Sequence, residues 1–306
     1  MKFHQLRYLC QIVDSGFNVT AAAQALHTSQ SGISRQVRLL EQELGAEILL
    51  RQGNKIIGLS EPGVEIVAAS KRLLLGALDL KNIAQTYEKQ DSGSLSVATP
   101  HLHARFSLQS TISAFCLKYP SVHIKLSQLD PADIIKMVAA NEVDIGVTSI
   151  EGGIDRSIVA LPAYATSMHL FTPAKHPLLR LKRPLLRDVA KFPLIILDPR
   201  INSGRAVLRE FEKQELIPNI VMSATNSDVV KAYVGSGLGV AFLRRMPFQP
   251  KEDSVIRVVP VDHIFAPSMT YILIRREKYL RHYMYDFIEM ISPDWTARKV
   301  KAEFAR

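Results

Sequence analysis

Cysteine and tryptophan are nearly missing from this chain, which has two of the former and one of the latter in 306 residues. Cys10 and Cys116 stand far apart, with no CxxC and no finger-like Cys/His spacing, so they build neither a disulfide framework nor a zinc finger. Both are read as buried small hydrophobes. No apolar run approaches the length of a membrane span, and the N-terminal MKFHQLRYLCQIVDSG is amphipathic rather than a signal-peptide core. A cytoplasmic protein without membrane contact is the expectation.

Catalytic signatures are missing as well. No GxSxG elbow, HExxH or P-loop occurs. Gly235-Ser236-Gly237-Leu238-Gly239 is superficially like a dinucleotide loop, but it follows a predicted helix and precedes a strand, the reverse of the required order. Asp130, Asp144 and Asp228 fall singly at element ends and are read as caps. His101 and His103 form an HxH pair with no third ligand spaced to join them, so no metal site is expected. The chain has no supported nucleophile or acid–base set; we expect no catalytic residue and no cofactor.

What is present is a globular composition, 47% hydrophobic, with length for two or three domains. The net charge of +9 suits an anionic partner. Yet residues 1–60 carry six Lys or Arg against four acids, a net of only +2, so the argument for DNA must rest on where charges sit. The clusters Lys182, Arg183, Arg187 and Arg275, Arg276, Lys278 are read as solvated surface.

The most informative stretch runs from Asn18 to Leu44. Asn18 is a plausible cap for an Ala-rich helix ending near Leu26, and Thr28 or Ser29 for a second helix after a short turn. On that second helix Ile33, Val37, Leu40 and Leu44 share one face, with Ser31, Arg35, Arg38 and Gln42 opposite. A helix over residues 3–15 packs Leu6, Leu9, Cys10 and Val13 against the pair. A donor face so braced suits a major groove: Arg35 or Arg38 for guanine or phosphate, Gln30 for adenine, and Ser29, Ser31 and Ser34 small enough for close approach. An ordinary surface helix with charges on its wet side fits the same pattern.

After Gly45, AEILLRQGNKIIGLS reads as two strands around Gly53 and Asn54, a wing whose Arg51 and Lys55 reach phosphates. Glu61-Pro62-Gly63 opens a helix to about Lys89, with Pro62 in its first turn. Ile66, Leu73, Leu80 and Tyr87 recur at heptad spacing, interleaved with Ala69, Gly76 and Ile83. This seam is expected to pair two subunits, because the short preceding domain cannot cover a helix of roughly 40 Å. A hinge is expected over residues 89–93.

From Ser94 strands and helices alternate: LSVAT, a helix over about 104–118, VHIKLSQ, a helix over about 132–141, and DIGVTS. A second set follows with MHLFTP, LIIL, a helix over about 205–214, NIVMSAT, a helix over about 228–235, and GVAFL. MTYILIRR and the helix YLRHYMYDFIEMI close the chain. These are read as βαβ units of a mostly parallel sheet.

The run AAAQALHTSQSGISRQVRLLEQELGAEILLR, followed by LSEPG, closely resembles the N-terminal region of LysR-type transcriptional regulators. The resemblance implies an α/β chain with an all-α N-terminal part: a winged helix-turn-helix (1–60), a linker helix and hinge (61–92), and a two-lobed periplasmic-binding-protein-like effector domain (93–306). Lobe I would take about 93–163 and 268–306, and lobe II about 164–267. The DNA-binding set is then Thr20, Ser29, Gln30, Ser31, Ser34, Arg35, Arg38, Arg51 and Lys55. Implied partners are promoter DNA, a small effector, further copies in a dimer or a tetramer of two dimers, and RNA polymerase.

MKFHQLRYL, GSLSVATPHLHARFSL, SATNSDVVKAYVGSGLGVAFL and LRHYMYDFIE resemble the sulfur-assimilation (CysB-like) branch in particular. In that branch hydroxyls and an amide after the first effector-domain strand hold the effector or sulfate. Here the turn reads Thr99, Pro100, His101, Leu102, His103: two hydroxyls are gone, and Pro100 removes a backbone N–H. Ser149, Asn202 with Ser203, and Thr225 with Asn226 occupy further strand or helix ends. A small polar or anionic effector of shifted chemistry is expected, drawn to helix N-termini, with His103 lining the pocket and its titration able to make binding pH-dependent. The other readings are a LysR-type regulator of a different pathway, and an α/β binding protein or enzyme without DNA activity.

Overall fold

The computed structural model describes residues 1–53, 55–88, 91–150, 152–245 and 255–305, and the backbone alone for residues 78–79 and 81–88. Asn54 of the wing turn, Lys89 and Gln90 of the hinge, and the side chains of Ile83 and Tyr87 lie outside what is described. The chain divides into two compact units, Met1–Glu88 and Lys89–Arg306.

The first unit holds α1 (Phe3–Asp14), α2 (Val19–Ala25), α3 (Gln30–Leu44), β1 (Leu49–Gln52), β2 (Lys55–Leu59) and α4 (Glu61–Glu88). The Asn18 side chain accepts from the Ala21 amide at 3.0 Å, and Ser29, rather than Thr28, caps α3 by accepting from Gly32 at 3.1 Å. Each supplies an acceptor to amides that a helix start leaves without one. Leu6, Leu9, Ile12, Ile33, Val37 and Leu40 form the core. Leu44 does not join them: it is 42% exposed, in the last turn of α3, beyond Leu40, the final core residue of that helix. Cys10 is buried, and burial pushes its thiol up to about 11.

Helix α4 divides its faces. Val67 belongs to the core, with Ile66 and Leu74 packed against it, and Gly63 starts the helix so close to β1 that a Cβ would stand 2.2 Å from the Ile48 carbonyl oxygen. The expectation that the domain cannot cover this helix therefore fails for its first turns, because α1 lies along them. Ile66 is half-buried against its own domain. Leu73 and Leu80 are 49% and 69% exposed, and Gly76 is exposed beside them.

The second unit holds β3 (Ser92–Thr99), α5 (Gln109–Lys118), β4 (Ser121–Gln128), α6 (Pro131–Ala139), β5 (Ile145–Ser149), β6 (Ile158–Pro173), α7 (Leu186–Val189) and β7 (Leu194–Leu197). It continues through α8 (Asn202–Lys213), β8 (Ile220–Ala224), α9 (Ser227–Gly235), β9 (Ala241–Arg245), β10 (Ile256–Pro260), β11 (Ser268–Arg275), α10 (His282–Ile291) and α11 (Ala297–Phe304). Strand β10 and the closing helix α11 carry no counterpart in the sequence reading, and β6 begins well before MHLFTP.

One lobe is built on the order β4-β3-β5-β11-β6. The other uses β9 and β10 against the far half of β6, with β7 and β8 joined through a Leu194–Val240 bridge. Strand β6 serves both: it pairs with β11 through Thr166 and with β9 from Ser167. The expectation of a mostly parallel sheet is thus overturned. β3/β4, β3/β5 and β7/β8 are parallel, but β11 runs antiparallel to both neighbours and β6 antiparallel to β9 and β10. The late return of the chain as β11 reverses the direction, and apolar strand patterns look alike in either sense.

Three further readings change. Helix α5 turns Phe115 and Tyr119 inward and leaves Cys116 exposed on its outer face. Asp144 caps no helix; it accepts from the Ser96 amide and hydroxyl, both at 2.7 Å, and pairs with Lys278 at 2.7 Å. Lys278 and Arg275 have side chains only 7% and 12% exposed, so the 275–278 cluster is mostly tucked against the lobe rather than solvated.

Candidate functional site

Two constellations stand out, one in each unit. In the first, the exposed face of α3 carries Gln30, Ser31, Arg35 and Arg38, with Ser34 partly covered. Gln30, Ser34 and Arg38 border a concavity of about 270 Å³ shared with Arg51, Gly53 and Ile56 of the wing. Among the described residues neither Arg35 nor Arg38 has an ion-pair or hydrogen-bond partner, which leaves both guanidinium forks open to an incoming acceptor. Ser29 is occupied as the α3 cap, while Thr20 on α2 and Lys55 on the wing are exposed.

Arg51 departs from expectation. Its guanidinium donates to both Glu41 carboxylate oxygens, at 3.2 and 2.6 Å, and to the Leu49 carbonyl at 3.1 Å. The same carboxylate accepts from the Ile48 and Leu49 amides, each at 3.0 Å. Burial pushes the Glu41 carboxyl up, but these donors outweigh it and hold it below the usual range. Arg51 thereby fastens the wing to α3 rather than standing open for phosphate.

In the second unit a cavity of about 450 Å³ opens between the lobes. Pro100, Leu102, His103, Ser149, Asn202, Ser203, Thr225 and Asn226 all line it. Thr99 does not: it is fully buried, and its hydroxyl donates to the Val147 carbonyl at 2.8 Å. Asn226 is partly committed, accepting from the Asp228 amide at 2.8 Å as the α9 cap. Ser203 sits in the first turn of α8, whose cap, Ile201, has no side-chain acceptor. Gly204 lets that turn approach β7, since a Cβ there would lie 2.2 Å from the Leu197 carbonyl oxygen.

The turn after β3 enters α5 through one wide turn, His103–Ser107, closed by the Leu108 amide donating to the His103 carbonyl at 2.9 Å. It places His103 inward, its Nδ1 2.8 Å from the Tyr164 hydroxyl on β6. Burial, reinforced by the Arg244 charge, pushes His103 down to about 4. The ring is therefore neutral near pH 7, and its titration does not supply the pH dependence the sequence suggested.

The sequence reading missed Arg244 on β9 and the lobe I residues Gln128, Asp130 and Asp133, all in the cavity wall. A lone arginine at a strand end and carboxylates at a helix start carry no local signal of a shared cavity. Asp228 is likewise more than a cap: its Oδ2 meets His101 Nε2 at 3.1 Å and also accepts from Arg105, joining the two lobes. Lys231 lies beside it, its ammonium 5.4 Å from the Phe106 ring centroid and 5.5 Å from that of Phe171. Asp130 occupies the cap position of α6, but its side chain makes no capping bond.

Among the described residues no group of three or more His, Cys, Asp or Glu stands together as a metal site, and no helix is long and apolar enough to cross a membrane. Residues 3–64 match the family described as "Bacterial regulatory helix-turn-helix protein, lysR family", and residues 88–295 match the "LysR substrate binding domain". The chain is 37% identical to the transcriptional regulator CysB of Haemophilus influenzae, covering 100% of this chain and 95% of that protein. It is 35% identical to the regulator SsuR of Burkholderia cenocepacia, covering 96% and 95%. Among solved structures, the cofactor-binding domain of the Cbl transcriptional regulator superposes with a TM-score of 0.63 at 30% identity, over 70% of this chain and 93% of that one.

Proposed function

Since the chain belongs to the LysR family of transcriptional regulators, we propose that it controls sulfur-assimilation genes in response to a small polar or anionic effector held between its lobes. The observation that carries the sulfur assignment is similarity to CysB and SsuR along the whole length, sensor and DNA-binding part alike. In this reading Gln30, Ser34, Arg35 and Arg38 meet base edges, while Ser29, Ser31, Thr20 and Lys55 position the domain on the backbone. The effector takes the cavity lined by Ser149, Ser203, Thr225 and His103. The protein works in the cytoplasm on promoter DNA, where RNA polymerase is its further partner.

A two-fold assembly places two α3 helices on successive half-sites, with α4 as the dimer element and two dimers forming a tetramer. The exposed Leu73, Gly76 and Leu80 support this, a stripe of apolar and small side chains left open once Val67 has packed inward. Leu73→Asp with Leu80→Asp should convert the oligomer to monomers in sedimentation velocity, with helix content retained. An unchanged oligomer would remove α4 as the dimer seam.

Effector binding alters subunit arrangement and DNA bend to the extent that the two arrangements differ in affinity for it. The test is mobility shift on promoter fragments from sulfate, cysteine and sulfonate genes, with and without sulfate, acetylserine and sulfonates. Sequence-specific binding changed by one of these compounds is the expected result. No specific binding at moderate salt would count against the regulator reading. Specific binding insensitive to every sulfur compound would move the assignment to another pathway.

A further inference from the structure

The cavity wall carries charges of opposite sign on its two lobes. Apart from its two histidines, the ionisable side chains lining it among the described residues are Asp130 and Asp133 on one lobe and Arg244 on the other. The sheet order sets them apart: Asp130 follows β4, the outermost strand of its lobe, whereas Arg244 lies on β9 beside the shared strand β6. From these elements we infer that the effector is dipolar, a small molecule with an anionic head for the Arg244 end and an ammonium group for the aspartate end. This rests on the effector reading proposed above and names the chemistry of that site.

The inner end is built for an anion. Arg244 brings a guanidinium to the wall, and its charge reaches His103. Ser203 and Ser227 line the cavity, each only 9% exposed, and neither hydroxyl has a hydrogen-bond partner among the described residues. Hydroxyls that face a cavity without a protein partner can donate to a ligand oxygen.

The outer end opposes an anion. Asp130 is exposed and makes no capping bond. Arg200, whose charge it attracts, is held in a fork by Asp198, at 3.0 and 2.9 Å. Asp133 meets only Lys136, at 3.4 Å on the open surface, a contact of little strength. Two carboxylates facing one cavity repel a ligand that is negative throughout and attract one with a cationic end. The other nearby carboxylate, Asp228, is spoken for by His101 and Arg105. A volume of about 450 Å³ exceeds what an inorganic anion fills and suits a molecule long enough to span both ends.

The test compares probes that share an anionic head and differ in the ammonium group: taurine against isethionate, β-alanine against 3-hydroxypropionate, and O-acetylserine against N-acetylserine, with sulfate as the bare anion. Calorimetric titration of the full-length protein should show an ammonium-bearing member binding about tenfold or more tightly than its partner. Asp130→Asn with Asp133→Asn should abolish that preference while leaving the partner's affinity unchanged or higher; both sites are exposed, so the fold is retained. Arg244→Gln should weaken both members of the pair. Equal affinity within every pair, preference for sulfate, or a ratio unaltered by the double aspartate variant would overturn the dipolar assignment and leave the small-anion sensor standing. Silence toward every probe, sulfate included, would instead remove the effector reading on which it rests.

Discussion

Replacing Arg35 and Arg38 together by alanine is expected to reduce operator affinity by about 2 to 6 kcal/mol, roughly thirtyfold to more than ten-thousandfold, since each contact to a base is worth about 1 to 3 kcal/mol. Both side chains lie on the exposed face of α3 and neither is tied to another described residue, so the loss falls on binding rather than on folding. The single variants separate two roles. A base-reading arginine, when removed, relaxes preference at one operator position. A phosphate-binding one weakens binding to all sequences alike and flattens the dependence of log K on log salt by about one unit. Fluorescence anisotropy on operator and scrambled DNA over a salt series makes the measurement. Unaltered operator affinity in the double variant would mean that a different face of the domain meets DNA.

Glu41→Ala is expected to destabilise the wing by about 2 to 3 kcal/mol, because it strands the Arg51 guanidinium and takes the acceptor from two amides. Hydrogen exchange at the Ile48 and Leu49 amides of the full-length protein reads this directly: their protection should fall strongly, with the α1 amides less affected. Glu41→Gln keeps an acceptor for the amides but not the charge, and should lie between. The pH dependence has a definite sign. Glu41 has a depressed folded pKa, so its contribution is present above the ordinary glutamate value and fades as pH falls through the lower folded value. Protection at Ile48 that is equal in wild type and Glu41→Ala would show that the ion pair is ornamental.

The two effects also bear on each other. The two α3 arginines proposed to meet DNA have no carboxylate partner among the described residues, and the wing arginine that the sequence offered as a phosphate contact is the one that holds the wing in place. A domain with a net charge of only +2 over its first sixty residues thus places two of its unpaired cations, Arg35 and Arg38, on the exposed face of one helix.

Local sequence determined a good deal by itself. The caps Asn18 and Ser29 and the apolar spacing of Ile33, Val37 and Leu40 each act over a few turns, and the structure places them where that spacing implies. Eight of the nine cleft residues that the family resemblance implied line one cavity. What tertiary structure alone decided is which of these groups are free. Arg51 finds Glu41 ten residues away, Asp144 finds Lys278, and Thr99 finds the Val147 carbonyl, all through contacts that no local pattern encodes. Strand direction belongs to the same class, since β11 reverses the sheet by returning late in the chain. Arg244, Asp130 and Asp133 come to share one cavity only after β6 has passed between the lobes, and a charge acquires a ligand-binding meaning from what faces it across space.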